Sequence, residues 1–595
     1  MKVLEDMEVQ GIQIIGTQRS GSNLLRVILN QSEELVSPHP AHVLTNFVPL
    51  LPYYGTLDAL SYRRLVDDVV DYIHVNPVEW GVQLDKDEIY GMARQFSLFE
   101  LNKNIYEFLA RQQGARYWCC KSMGNMYFSD KLEVASPDLK YIYLYRDGRD
   151  VALSFQKAIV GEKHPYHLAR QWHEDQQACL RLTDRVPPER LFMLNYEQLI
   201  RDPEQTIRQL CAFLGIRFQE TMLHYYTSDE SRRTAEGGAM WTNLTKPVMH
   251  DNANKFLREM AADDIRIFES VAGDSLVALG YELVTPAEQL LTFVPEEVAI
   301  FNRKNAELKR GFKAEGDDAK KRQPQLTLLK RIKDMLAVTD LARAAGKAIL
   351  DIYQADLTTW DIQQKSDDSP LTLADLASHR IISEGLRTLF PDIPILSEEG
   401  KDIPYAERKT MERYWCVDPL DGTKEFISRN GEFTVNIALM VENEPVFGVI
   451  YVPVTDVLYY GLKGEGSFKT MEGITRRITA NGNGDPVAVG SKSHKTAEEE
   501  AFLSSLDIRH VVSVGSSLKF CLIAEGGAQV YYRHGPTMEW DTAAGQAIAV
   551  ASGARMTNGD GSAFTYNKPR LVNGSFICYA DALHERISRI SSEVC

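Results

Sequence analysis

Asp418-Pro419-Leu420-Asp421-Gly422-Thr423 follows the apolar run Tyr414-Trp415-Cys416-Val417. The run reads as a buried strand, and the Pro and Gly behind it mark a turn. Two carboxylates three residues apart on such a turn, with a Gly and a Thr at once behind them, suit the binding of hard cations beside a phosphate ester. Oxygen-only ligands fit Mg²⁺. Neither Cys nor His recurs among them, which argues against zinc.

Three more stretches fall around this turn in sequence order. Lys365-Ser366-Asp367-Asp368-Ser369-Pro370-Leu371-Thr372-Leu373-Ala374-Asp375 and Ser397-Glu398-Glu399-Gly400 precede it, and Glu539-Trp540-Asp541-Thr542-Ala543-Ala544 follows. Carboxylates drawn from several segments hold two or three ions, and a pair about 3.5–4 Å apart clamps both the attacking and the leaving oxygen of a phosphoester. The surrounding pattern is layered. Two long amphipathic helices, about 326–354 and 373–389, come before a strand-rich stretch from Tyr414 to about Lys469. Mixed α and β elements run on to the end.

Residues 296–325 differ in character. They are charged, contain a Gly-interrupted end and close on Pro324. The spacing predicts a solvated helix followed by a linker. Three regions are therefore expected: 1–295, a linking segment 296–325, and 326–595. A chain of 595 residues is too long for one ordinary core.

The first region alternates strand-like runs with amphipathic segments. Ile12–Gly16, Tyr117–Cys120, Lys140–Tyr145 and Leu191–Asn195 read as strands, and Ser22–Gln31, Tyr166–Leu182, Pro203–Leu214 and Ala262–Leu279 as helices. This alternation predicts an α/β domain, a parallel sheet with helices on both faces.

Gly16-Thr17-Gln18-Arg19-Ser20-Gly21-Ser22-Asn23 lies between the first strand and the first helix. Its Gly-x4-Gly frame is that of a phosphate-cradling loop. Ser22 and Asn23 stand where a nucleoside-triphosphate loop has its Lys and its Mg²⁺-binding Ser/Thr, so a metal–triphosphate complex is poorly served. A second anion-binding element is Leu144-Tyr145-Arg146-Asp147-Gly148-Arg149-Asp150-Val151-Ala152-Leu153-Ser154. Arg146 ends a strand, and Ser154 lies two turns into the next helix. Together the two elements imply a ligand with two separate phosphate groups.

These motifs resemble two families. Region 11–283 resembles sulfotransferases that use 3′-phosphoadenosine 5′-phosphosulfate (PAPS). The resemblance implies that Arg19, Ser20, Gly21, Ser22 and Asn23 hold the 5′-phosphosulfate and that Arg146 and Ser154 hold the 3′-phosphate. It also implies that Lys121 meets the leaving group. His39 is the favoured base for the acceptor's proton and His42 the runner-up. The segment Lys246–Lys255 resembles a late nucleotide contact. The acceptor stays open; residues 40–115, rich in Tyr, Leu and Pro, are expected to shape its pocket.

Region 326–590 is similar to the inositol monophosphatase superfamily, which implies a layered αβαβα domain. It implies Asp367, Glu398, Asp418, Asp421, Asp541 and the Leu420 carbonyl as ligands of two or three Mg²⁺ ions, with Thr372 beside Asp367 and Thr423 placing water. Val489–His494, Gly515–Lys519 and Tyr532-Arg533 look like the nucleotide-contacting segments of 3′(2′),5′-bisphosphate nucleotidases. That assigns Ser493, His494, Ser516, Lys519 and Arg533 to the substrate. The combined expectation is a bifunctional enzyme that transfers sulfate from PAPS and hydrolyses the spent donor, adenosine 3′,5′-bisphosphate (PAP). Two rivals stay open: a nucleotidase with a PAPS- or PAP-sensing N-terminal domain, and an inositol-phosphate phosphatase with a recruiting one.

The bulk numbers set limits. A net charge of −16 argues against a nucleic-acid polymer as partner. No run reaches the 18 or so apolar residues of a membrane span. The acidic start and the scattered cysteines (Cys119 and Cys120 adjacent, no paired metal spacing) predict reduced thiols in a cytoplasmic protein.

Overall fold

The computed structural model describes residues 9–311, 317–355, 363–364, 370–481, 485–490 and 496–593. Asp367, Ser493 and His494 lie outside the described residues. The chain divides into two compact units, residues 1–51 with 57–330 and residues 52–56 with 331–595.

The first unit is built on five parallel strands: β1 (Gln10–Ile15), β2 (Leu35–Val36), β3 (Tyr117–Cys120), β4 (Lys140–Tyr145) and β5 (Leu191–Asn195), in the order β2-β3-β1-β4-β5. Both faces are covered, as an all-parallel sheet requires. On β4, Ile142 and Leu144 enter the core that holds Leu25, Ile28, Ile207 and Leu210. These come from the helices Ser22–Leu29 and Pro203–Leu214. The alternate residue Tyr143 faces the helix Pro165–Thr183, where its hydroxyl donates to Gln176 Oε1 at 2.6 Å. Strand β2, two residues long, has no periodicity to betray it in the sequence.

The charged stretch forms the helix Pro295–Arg310. The expected stop at Pro324 does not occur: Pro324 lies inside a helix running from Asp317 to Tyr353. Proline there removes a hydrogen bond to the Lys320 carbonyl, at a cost of about 3 kcal/mol in a helix interior. Lys320 is solvent-exposed, so its carbonyl has water within reach, and the buried side chains of Gln325 and Leu329 anchor the turns that follow the break.

Among the described residues the second unit has two large sheets and two short two-stranded ones, Gln363–Gln364 with Pro370–Leu371 and Thr537–Met538 with Val572–Asn573. Seven strands take the order Ile474–Ile478, Gly466–Met471, Val457–Leu462, Glu444–Val452, Thr434–Val441, Arg413–Asp421, Ile395–Ser397. All pair antiparallel except the last two. A five-stranded mixed sheet takes the order His510–Ser513, Val487–Gly490, Val530–Arg533, Phe576–Ala580, Ala554–Asn558. The helix Glu539–Ala551 lies flat on the larger sheet because glycines clear its path. A Cβ on Gly448 would stand 2.5 Å from the Ala544 carbonyl, and one on Gly461 would stand 2.8 Å from Ile548 Cα. That approach sets where Asp541, in the helix's first turn, stands.

Candidate functional site

In the first unit, the loop after β1 is forced into shape by backbone sterics. Gly16 (φ 131°) passes so close to β4 that a Cβ would meet the Leu144 carbonyl at 2.1 Å. Arg19 takes a left-handed backbone (φ 73°), and Gly21 (φ 88°) opens the helix that follows. Non-glycine residues seldom adopt such a conformation, and where they do the strain is often functional.

The loop and the β4 element meet. Arg19 Nε donates to Ser154 Oγ at 3.0 Å, and Arg146 Nη1 donates to the Arg19 carbonyl at 3.3 Å. Arg146 is held further by the Asn252 carbonyl at 2.9 Å and by the Tyr196 ring at 4.5 Å. Burial and the neighbouring Arg146 charge lower the pKa of Arg19. Lys121 follows β3 and is buried. Burial first, then Arg26 and Arg19, bring its pKa down to about 7. Among the described residues, buried Ser20 Oγ and Arg146 Nε have no hydrogen-bond partner. Crowded cations and orphaned donors fit an anionic ligand.

Arg19, Lys121, Arg146, Ser154, Tyr196 and Asn252 line one cavity of about 880 Å³, together with His39, His42, Tyr72, Asn76, Trp241, Lys255, Arg322, Gln325 and Leu329, whereas the expected Ser20 is not in its lining. The expected sulfotransferase residues Arg19, Gly21, Ser22, Asn23, His39, His42, Lys121, Arg146 and Ser154 thus share one cavity. Within the late segment, Lys255 lines it. Lys246 is exposed, and its carbonyl accepts from the Tyr225 hydroxyl at 2.8 Å. Burial and the charges of Arg26 and Lys121 hold His39 well below the ordinary imidazole pKa. Burial and Lys121 lower His42 to about 3.

In the second unit, Asp418 and Asp421 sit at the end of the strand Arg413–Asp421. Asp418 Oδ1 accepts from the Leu420 amide at 3.1 Å, which curls the turn. Gly422 (φ 91°) then starts the helix Thr423–Ile427. Glu398 follows the parallel neighbour strand, its amide bonded to the Val417 carbonyl at 3.1 Å. Asp541 Oδ2 caps its own helix through the Met538 amide at 2.8 Å.

Ser517 ties these pieces together. Its hydroxyl lies 2.7 Å from Asp421 Oδ2 and 3.1 Å from the Asp541 carbonyl, and it accepts from Asn436 Nδ2 at 2.7 Å. On the other side Asp375 joins the two threonines. Its Oδ2 accepts from Thr372 Oγ1 at 2.6 Å and its Oδ1 from Thr423 Oγ1 at 3.3 Å. Ser378 fixes the helix Leu373–Leu389 to the turn by donating to the Pro419 carbonyl at 2.7 Å. Sequence reading gave Asp375, Asn436 and Ser517 no role. They meet the motif only through packing, although Asp375 and Ser517 fall inside the quoted stretches.

Burial, and then the charges of Glu398, Asp421, Asp541 and Asp375, raise Asp418 well above the usual carboxylate pKa. Burial and Asp421 do the same for Asp541. No group of three or more His, Cys, Asp or Glu among the described residues stands at ready-made metal spacing. The donor chemistry still fits hard cations: Asp418 is buried, the half-buried Glu398, Asp421 and Asp541 repel it, and oxygen is the only donor atom. Beside them Lys519 is buried, its Nζ donating to the Ser516 carbonyl at 3.0 Å, and burial lowers its pKa. Buried Arg533 Nε has no partner among the described residues.

Residues 333–594 match the inositol monophosphatase family, and residues 11–220 match the sulfotransferase family. The chain belongs to the inositol monophosphatase family through its C-terminal unit and carries a sulfotransferase domain ahead of it. Within the first family it is similar to the 3′(2′),5′-bisphosphate nucleotidase CysQ of Salmonella typhimurium, 52% identical over 241 residues that make up 40% of this chain and 96% of that protein. The CysQ of Escherichia coli K12 is 50% identical over the same length and coverage. A solved CysQ from Bacteroides thetaiotaomicron is 42% identical, covering 42% of this chain and 97% of that one with a TM-score of 0.37. Among the described residues no helix is long and apolar enough to cross a membrane.

Proposed function

We propose that the chain is a bifunctional enzyme. Its first unit transfers a sulfuryl group from PAPS to an acceptor, and its second hydrolyses the product PAP to AMP and phosphate with Mg²⁺. The observation that carries the reading is the pairing of two unlike phosphate sites. The first joins two arginine-bearing elements through the Arg19–Ser154 and Arg146–Arg19 bonds. The second gathers carboxylates around Ser517 with Lys519 and Arg533 alongside.

In the first site Arg19 to Asn23 would hold the 5′-phosphosulfate, Arg146 and Ser154 the 3′-phosphate, and Lys121 the charge that develops on the leaving phosphate. In the second, Glu398, Asp418, Asp421, Asp541 and the Leu420 carbonyl would hold Mg²⁺, with Asp367 among them. The metal would supply Lewis acidity and an acidified water. The chain's own part is positioning. Thr423, held by Asp375, orients a water; Ser516, Lys519 and Arg533 hold the phosphate that stays, with Ser493 and His494 at the nucleotide.

The two reactions suit each other. PAP keeps both phosphates that the first site grips and so competes with PAPS. AMP has lost one grip. At about 1.5–3 kcal/mol for each of two charge-assisted hydrogen bonds, its hold is weaker by roughly two to four powers of ten. Seven buried free cysteines among the described residues suit a reducing, cytoplasmic setting. Two assays test the reading. Phosphate release with Mg²⁺ should be fast from PAP and slow from inositol 1-phosphate; the reverse order overturns the nucleotidase assignment. Labelled PAPS with a cell extract should give a sulfated product identifiable by mass. Binding of PAPS with no transfer to any acceptor would instead make the first unit a sensor.

A further inference from the structure

The helix Asp317–Tyr353 contributes Arg322, Gln325 and Leu329 to the first unit's cavity. Gln325 also begins a chain of hydrogen bonds whose polarity is fixed. Its Nε2 lies 3.1 Å from the Tyr72 carbonyl and 3.3 Å from Asn76 Oδ1. Asn76 Nδ2 lies 2.7 Å from the Val78 carbonyl and 3.2 Å from His39 Nδ1. Backbone carbonyls only accept, so the Tyr72 and Val78 carbonyls decide which end of each amide is the NH₂ group. The second N–H of Asn76 is therefore aimed at His39 Nδ1, which must accept it. A neutral imidazole carries one N–H, and here it sits on Nε2.

The rest of the surroundings agrees. His39 is 6% exposed, and its Nε2 is buried with no partner among the described residues. Trp241 meets the ring edge-on at 4.8 Å, and Trp80 Nε1 holds the His39 carbonyl at 2.7 Å, so the ring has little freedom to turn over. His42 also lines the cavity, and its ring makes no hydrogen bond among the described residues.

We propose that Gln325, acting through Asn76, holds His39 as the Nε2–H tautomer, so that His39 donates a hydrogen bond to the reacting oxygens while His42 takes the acceptor's proton. This rests on the sulfotransferase reading above. The acceptor oxygen bonds to sulfur. The bond from sulfur to the bridging oxygen breaks, its electron pair leaving on the 5′-phosphate of PAP, and the acceptor's proton passes to His42. Gln325 and Asn76 are positioning residues, and His39 is a catalytic donor rather than the base.

Nitrogen-15 spectra of the full chain labelled at histidine test this without any substrate. The His39 signals are identified by their loss in His39→Gln. At pH 7, Nε2 should be the protonated nitrogen and Nδ1 the bare one. Asn76→Asp, whose carboxylate accepts from Nδ1–H, should reverse them, and Gln325→Leu should give a mixture. A wild-type His39 with its proton on Nδ1 overturns the proposal. In the PAPS–extract assay, His39→Gln keeps an N–H donor and should outpace His39→Ala, which loses roughly 100-fold as for a lost oxyanion donor. His42→Gln should lose transfer outright. Equal losses in the two His39 variants also overturn the proposal. A protein that shows the Nε2–H tautomer but never transfers sulfate fails only the function reading.

Discussion

The candidate sites of the two units carry opposite charge. The first supplies positive charge covalently: Arg19, Lys121 and Arg146 crowd one cavity, and burial first, then repulsion from neighbouring arginines, lowers Arg19 and Lys121. The second is built from negative charge: buried Asp418 and half-buried Asp541 stand beside Glu398 and Asp421, and both are pushed upward. An arginine cradle is complete as folded, whereas a carboxylate cluster attracts an anion only after a cation has joined it. One unit should therefore respond to the loss of a side chain and the other, in addition, to the loss of a metal.

The sharpest break of this contrast is Asp421→Asn. Losing several kcal/mol of metal-borne stabilisation should slow PAP hydrolysis roughly a thousandfold. Initial-rate sulfation should stay intact when PAP is removed by an added nucleotidase, and loss of both activities would show that the sites are not independent. A chelator should likewise stop phosphate release and leave PAPS binding unchanged by calorimetry. Next comes Arg146→Met, which removes about two charge-assisted hydrogen bonds and should weaken PAPS binding roughly a hundredfold with no change in phosphate release. Ser517→Ala, which frees Asp421 from its tether, should cost about 10–100-fold in PAP hydrolysis, as for other residues that orient metal ligands.

Smaller effects follow. Lys121 has its pKa lowered to about 7, so its charge is present below that pH and is lost above it. PAPS affinity should fall as pH rises through this window. Lys121→Met should flatten the fall, since His39 and His42, held well below their ordinary range, stay neutral throughout. Gly448→Val would drive a side chain into the Ala544 carbonyl and should destabilise the second unit by about 1–3 kcal/mol. A lower melting temperature with unchanged PAPS affinity would confine the damage to that unit.

Much of this was legible in the residues themselves. Strands Tyr117–Cys120, Lys140–Tyr145 and Leu191–Asn195 show as apolar runs bounded by turns, and the carboxylate turn announces itself because Asp418 and Asp421 are three residues apart. What stayed hidden has a common cause. Ser517, Asn436 and Asp375 gain their roles from packing between segments far apart in sequence, and no local pattern records that. Leu35–Val36 is too short for periodicity. Pro324 misled for a different reason: its local preference for ending a helix gave way to the buried Gln325 and Leu329.

That same turn of helix bears on how the protein is taken apart. A fragment cut after Arg310, where composition invites the cut, would keep every residue expected to touch the nucleotide. It would lack Arg322, Gln325 and Leu329. Such a fragment should bind PAPS yet leave its cavity short of one wall. Failure of a dissected first half to sulfate anything would then reflect where the chain was cut, not what the intact enzyme can do.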